Sequence, residues 1–155
     1  MNSLIWNTQK TEKFSFINLF LLVASLLLVG SMFFTWVSFY YNGNFIGLTG
    51  LALTFKYNEL SFLFYIFIAG ILLFFTSIMG IYYEDFIQLK FVKYTILLLY
   101  VIALGVLFLA PLFMEGVLNN NFGNISVINN LGVGWYAAIS GSTIGMVIQA
   151  LYIFY

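Results

Sequence analysis

The stretch from Gly132 to Tyr155 reads GVGWYAAISGSTIGMVIQALYIFY. It is apolar over a length that can span a bilayer, and it carries small residues at helical spacing. These residues form two neighbouring rows, each with a repeat of four: Ala137, Gly141 and Gly145, then Gly134, Ala138 and Ser142. Glycine weakens a helix in water, but in lipid small residues let neighbouring helices approach closely. We therefore predict that this segment is the main packing helix of a small membrane bundle.

Composition points to one integral membrane domain covering residues 1–155. Of the 155 residues, 63% are hydrophobic and only 6% are charged, whereas soluble domains carry roughly 25% charged residues. The formal net charge is zero, so there is no basic excess that would favour nucleic-acid binding. The chain has no Cys and no His, which removes thiol chemistry, the commonest general base and the commonest metal ligand. We expect neither catalysis nor a cofactor or metal site.

Four long stretches with almost no charge predict transmembrane helices at 14–37, 60–83, 91–114 and 133–155. The connections between them are 38–59, the short turn 84–90, and the Asn-rich segment 115–132. The first stretch is too long for the apolar core of a signal peptide, so we expect it to be retained. The fold predicted is an all-α membrane protein, an antiparallel four-helix bundle in a lipid bilayer.

The lysines set the expected orientation, because cytoplasmic connections carry the excess of Lys and Arg. Lys10, Lys13, Lys90 and Lys93 lie in the N-terminal head or near the short turn, while the two longer connections contain Lys56 alone. Both termini should therefore be cytoplasmic, with 38–59 and 115–132 outside, and we expect the cell membrane as the location.

The first long connection carries a hairpin signal. Asn42-Gly43 separates two aromatic, β-prone runs, and a type I′ turn needs positive φ at both of its central positions. We predict a small extracellular β-hairpin, with an irregular aromatic loop as the alternative. Trp36 and Trp135, at the outer ends of two spans, are expected in the aromatic belt of the membrane interface.

The second long connection contains Asn124-Ile125-Ser126, a sequon for N-glycosylation. Its position agrees with the expected orientation, although such a motif also arises by chance in an Asn-rich segment. The residues Ile125 to Ile128 could form one short strand beside the hairpin.

The layout resembles that of claudin-like four-span proteins, with a larger first outer loop, a short inner turn and a smaller second outer loop. Trp36, Gly47-Leu48 and Gly50-Leu51 are similar to the Trp and Gly-Leu elements of the claudin first loop. The second Trp and the two loop cysteines of that family are absent here. The resemblance implies an outer β-sheet on a four-helix bundle and carries no functional residue across.

Polar residues within the spans are mostly hydroxyls, which membrane helices usually satisfy through their own backbone or a neighbouring helix. Gln149 is the most polar of the deep residues and is expected to bond another helix. The leading functional hypothesis is a non-enzymatic structural or accessory subunit of a larger membrane protein complex, which packs through the small-residue helix faces against other membrane proteins or copies of itself; the alternative use of those faces is packing within the bundle. The alternatives are an outward-facing adhesion or self-assembling protein that uses the hairpin and, less favoured, a pore or small-molecule carrier.

Overall fold

The fold begins with a long helix, α1 (Asn2–Ser31), followed directly by two short strands. The computed structural model describes residues 2–83 and 89–154, with side chains from Phe16 onward. The remaining elements are β1 Thr35–Tyr41, β2 Asn44–Thr49, α2 Gly50–Lys56, a 3₁₀ turn Asn58–Leu63, α3 Phe64–Tyr82, α4 Lys90–Phe122, a 3₁₀ turn Ile128–Asn130 and α5 Val133–Phe154. The long apolar helices pack antiparallel and a two-stranded hairpin follows the first of them, which confirms the predicted fold class.

Among the described residues, three helical segments are long and apolar enough to cross a membrane: Asn58–Tyr82, Lys90–Phe122 and Val133–Phe154. In α1 the apolar part with described side chains is Phe16–Ser31, about 24 Å long at 1.5 Å per residue. Large apolar side chains cover the outside of these helices, among them Phe20, Leu72 and Phe108, each at least half exposed. By helix length and hydropathy, the chain is an integral membrane protein whose outer face contacts lipid.

The helices α1, α3, α4 and α5 form an open ring. Helix α1 packs extensively against both α5 and α3, and α4 packs against α5. The contact between α3 and α4 is much thinner, so the ring is loosest on that side. The buried core runs the length of the bundle and includes Leu28, Leu73 and Leu107.

The hairpin stands at one end of the bundle, which we call the hairpin end. Strands β1 and β2 are antiparallel, with Tyr41 opposite Asn44 across the turn and a bulge between Thr35 and Val37. Asn42 has φ of 50° and Gly43 has φ of 79°, the left-handed values that a type I′ turn requires. The predicted hairpin is therefore confirmed.

Trp36 lies in the core, and the prediction that it sits in an interfacial belt is wrong. Its side chain is fully buried, and its indole N–H donates to the Ser31 carbonyl over 2.8 Å. The α1 helix ends at Ser31 and β1 begins at Thr35, so Trp36 is the second residue of the hairpin, and its ring lies close to Gly134 of α5. Trp135 is half-buried, and its indole N–H donates to the Leu107 carbonyl at 3.3 Å.

Helix α4 continues eight residues beyond the predicted end of the third span. Pro111 lies within it and does not stop it, and the helix ends only at Gly123, which has φ of 85°. The final turn is held in place by tertiary contacts, since the Phe122 ring packs edge-on against Phe39 and Tyr41 of the hairpin. The sequence pattern could not show these contacts.

The short strand suggested at 125–128 does not form. Leu131 instead makes one isolated antiparallel bridge to Val37, and the Gly132 N–H donates to the Trp36 carbonyl at 2.7 Å. The predicted inner turn, 84–90, lies outside the described residues apart from its last two positions.

Candidate interaction surfaces

The small residues of α5 face the inside of the bundle. Gly134, Ala138, Gly141, Ser142 and Gly145 are all buried. The remaining member of the two predicted rows, Ala137, is half-buried.

The neighbours of the α5 glycines belong to the same chain. A Cβ added at Gly141 would lie 2.7 Å from the Ala24 carbonyl oxygen of α1. At Gly134 it would lie 2.7 Å from the Ser31 carbonyl oxygen, and at Gly145 it would collide with the ring of Tyr100 in α4. These glycines therefore allow α1 and α4 to approach α5, and their buried face is not open to a separate partner.

Among the described residues, side-chain hydrogen bonds tie the helices together in the half of the bundle away from the hairpin. The Asn18 amide of α1 donates to the Gly80 carbonyl of α3 at 3.1 Å. The Tyr100 hydroxyl of α4 donates to the α1 carbonyl of Leu21 at 3.2 Å. The Gln149 amide of α5 donates to the Lys93 carbonyl of α4 at 2.9 Å, so this residue does bond a neighbouring helix as expected.

The face of α5 opposite the glycines lies on the lipid-facing side of the bundle and carries hydroxyls. Tyr136, Ser140 and Thr143 are exposed and follow one another at spacings of four and three residues, so they share a helix face. Within the part of the chain that the structure describes, the Ser140 and Thr143 hydroxyls make no hydrogen bond.

Four hydroxyls on other helices behave differently, whereas the buried Ser142 hydroxyl of α5 also has no partner among the described residues. Ser25, Thr76, Ser77 and Thr95 each donate to a carbonyl three or four residues earlier in the same helix. That is how hydroxyls in membrane helices are commonly satisfied. Ser140 and Thr143 depart from this pattern, and their shared spacing on the side opposite the glycines is the signal that would have singled them out in the sequence.

The hairpin presents an exposed aromatic surface and a free strand edge. Tyr40 and Phe45 are largely exposed and stack edge-on with ring centroids 5.4 Å apart. The outer edge of β1 is partly covered by the bridge from Leu131, whereas among the described residues no strand lies against the outer edge of β2. Unpaired strand edges are templates for pairing with another chain.

A lateral groove of about 260 Å³ opens between α3 and α4, where their contact is thin. Its lining includes Ala69, Leu72, Ile102 and Ala103, and the Tyr65 side chain stands at one end. Such a groove offers apolar surface but no set of polar ligands.

Charged side chains near the hairpin end make local contacts. The Lys56 ammonium lies 5.6 Å from the centre of the Tyr57 ring and 5.8 Å from that of Phe122. A Glu115 carboxylate oxygen accepts from the Val127 N–H at 3.2 Å. Among the side chains that the structure describes, those of residues 16–83 and 89–154, no three acidic groups gather where they could share a metal ion.

The second connection exposes Asn124. Its side chain and that of Ser126 are exposed, immediately after the end of α4 at Phe122.

Comparison with protein-family models, curated proteins and solved structures finds no match to this chain. Among the described residues, the chain has three long apolar helices, a shorter apolar helix and a β-hairpin, and no family is identified for this arrangement.

Proposed function

We propose that this protein is a non-enzymatic structural or accessory subunit of a larger membrane complex, and that it contacts its partner through the lipid-facing side of α5. The observation that carries the proposal is the exposed pair of hydroxyls at Ser140 and Thr143, which make no hydrogen bond to any described residue of their own chain.

Hydroxyls facing hydrocarbon favour helix association, because lipid tails offer no hydrogen-bond partner. A neighbouring transmembrane helix can supply a carbonyl or an amide, at a gain of about 0.6 kcal/mol for an average interhelical hydrogen bond. Ser140 is also small, so it lets the backbone of a second helix come close. Tyr136, one turn earlier on the same face, adds an exposed ring.

The proposal includes an orientation and a location. With both termini cytoplasmic, the hairpin end would face outward from the cell membrane, in line with the distribution of lysines. The partner would then be another integral membrane protein that crosses the same bilayer beside α5.

The test is extraction from native membranes in a mild detergent, followed by sizing and mass spectrometry of the proteins that travel with the chain. We expect larger membrane proteins at a fixed ratio, and we expect Ser140→Leu with Thr143→Leu to release them. The matched control is Thr95→Leu, which removes an α4 hydroxyl that already bonds the Phe91 carbonyl. A chain that migrates alone, or a double variant that keeps its partners, would contradict the proposal.

A second candidate function is homotypic assembly or adhesion through the hairpin, favoured by the free outer edge of β2 and the exposed Tyr40 and Phe45. Between Lys13 and Lys56 the sequence has no charge that would repel a second copy. Under this function the extracted species is a homo-oligomer, and Tyr40→Lys with Phe45→Lys separates it into monomers while Ser140→Leu with Thr143→Leu has no effect.

The third alternative, a pore or small-molecule carrier, needs a polar pathway through the bundle. The groove between α3 and α4 gives little support to this alternative, because its lining is almost entirely apolar.

A further inference from the structure

We propose that Asn124 is an acceptor for N-linked glycan at the hairpin end of the bundle. The reaction would join the Asn124 side-chain nitrogen to the anomeric carbon of an oligosaccharide carried on a lipid diphosphate. The bond between that carbon and the diphosphate oxygen breaks, the lipid diphosphate leaves, and the amide nitrogen gives up one proton to a base of the transferase. The modification rests on the proposed outward orientation of the hairpin end, but it does not depend on the partner proposed for α5.

The length of α4 lifts Asn124 clear of the membrane. The helix has 33 residues, or about 50 Å at 1.5 Å per residue, whereas the hydrocarbon core is about 30 Å thick. Lys90 and Lys93 lie at its start, and the next charge is Glu115. From Glu115 to Phe122 the helix therefore extends for about 12 Å beyond the apolar span.

The extension is braced, so the sequon sits at a defined place. Phe122 packs against the hairpin ring of Phe39 with centroids 5.2 Å apart. The loop that follows is tied back to α4, since Asn119 Oδ1 accepts from the Ile125 N–H at 2.6 Å and Glu115 accepts from the Val127 N–H. The loop stands on the helix end, away from the bilayer.

The side chain of Asn124 differs from those of three nearby asparagines that bond the backbone. Asn119, Asn121 and Asn130 each use their side-chain amides to bond the backbone of this region. The Asn124 amide makes no hydrogen bond within the described chain and is exposed. Ser126, the hydroxyl residue that a sequon requires two positions later, is exposed as well. The folded protein therefore leaves room for a glycan at Asn124 without breaking a contact.

The test is expression of the full chain in cells that contain an oligosaccharyltransferase, with gel mobility measured before and after digestion with peptide N-glycosidase. We expect the wild-type chain to migrate more slowly on the gel, by the amount that one glycan causes, and to regain the mobility of the unmodified chain on digestion. Asn124→Gln and Ser126→Ala should abolish the shift, while Ser126→Thr should keep it. The matched control is Asn129→Gln, an exposed asparagine of the same loop outside any sequon, and it should keep the shift.

A wild-type chain without the digestible shift overturns the proposal, and two further variants locate the cause. Ile46→Thr creates a second sequon at Asn44 on the hairpin, and Gln9→Thr creates one at Asn7 in the N-terminal segment. Modification of the Ile46→Thr variant alone would mean that the hairpin end does face the transferase, but that the transferase does not modify the loop with Asn124. Modification of the Gln9→Thr variant alone would mean that the hairpin end faces the cytoplasm. A shift that survives Asn124→Gln in the otherwise native chain overturns the proposal as well.

Discussion

At the scale of single residues, glycines of this bundle have quite different surroundings. A Cβ added at Gly141 would lie 2.7 Å from the Ala24 carbonyl oxygen and 2.9 Å from the Leu27 Cβ. A Cβ added at Gly105, in the exposed face of α4, would meet nothing within 4 Å. Gly141 is thus needed for the close approach of two backbones, and Gly105 is not.

Gly141→Ala should destabilise the bundle by about 1–3 kcal/mol, because the backbone of α1 cannot move aside without losing its own packing. Gly105→Ala should be neutral or slightly stabilising, since alanine favours a helix over glycine by about 1 kcal/mol. The measurement is the free energy of unfolding in mixed micelles, followed by circular dichroism. Equal free energies for the two variants would show that α1 and α5 are not in the contact described.

A second residue-scale prediction concerns Gly145 and Tyr100, which face each other across α5 and α4. Gly145→Ala alone should destabilise the bundle because the new methyl group collides with the ring. Tyr100→Leu should recover part of that loss by removing ring atoms, so the two changes should be non-additive by at least about 0.5 kcal/mol in a double-mutant cycle.

Tyr100→Phe is the control for this cycle. It keeps the ring and removes only the hydroxyl that bonds the Leu21 carbonyl, so it should not rescue Gly145→Ala. If the losses of unfolding free energy caused by Gly145→Ala and Tyr100→Leu are additive, the Tyr100 ring does not lie against Gly145.

At the scale of elements, local sequence sets the turn of the hairpin, whereas tertiary contacts set its position on the bundle. The turn forms at Asn42-Gly43. The side of the hairpin that faces the bundle is determined by α4, because the ring of Phe122 at the end of this helix packs against Phe39 and Tyr41. In a two-residue hairpin the pair beside the turn exchanges hydrogen bonds, so the next pair, Tyr40 and Phe45, does not.

A non-hydrogen-bonded pair brings its Cα atoms to about 4.5 Å, within the range that a disulfide spans. The native chain has no cysteine, so Tyr40→Cys with Phe45→Cys should cross-link readily under mild oxidation. Tyr40→Cys with Gly47→Cys, two residues out of register, should cross-link far more slowly. Mass spectrometry of the digested protein distinguishes the two, and the reverse preference would mean a shifted register.

At the scale of the whole molecule, the bundle separates two ends of different character. One end holds the hairpin, the extension of α4 and the loop with Asn124, while the other holds the start of α4 and the interhelical bonds of Asn18, Tyr100 and Gln149. The ring of helices is closed on one side by the glycines of α5 and is loosest between α3 and α4.

Single cysteines should report these two ends separately. We expect Asn129→Cys to react with a membrane-impermeant maleimide on intact cells, and Lys90→Cys to react only after permeabilisation. Both positions are exposed, so accessibility within the fold is not the limiting factor. Labelling of both from the same side would contradict a bundle in which α4 crosses the membrane once.

The sequence pattern did not predict the surroundings of every residue correctly. Trp36 was expected at the membrane interface, because tryptophans near span ends usually lie there. It is buried because the chain reverses into the hairpin and places it between α1 and α5, with its indole N–H on Ser31. Ser140 and Thr143 belong to the span hydroxyls that the sequence predicts to be satisfied within the bundle, because spacing alone does not show whether a hydroxyl has a bonding partner.

The sequence by itself determined the membrane class, the antiparallel helices and the hairpin turn, because long apolar runs and an Asn-Gly pair act through local physics: desolvation of the backbone in lipid and the left-handed conformation of two residues. Only the tertiary structure decided where α4 ends, which neighbours fill the space beside the α5 glycines and which hydroxyls remain outward. Those outcomes depend on contacts between residues far apart in the chain, such as Gly145 with Tyr100 and Phe122 with Phe39. No local pattern encodes them, since each is set by how the helices rotate against one another when they pack.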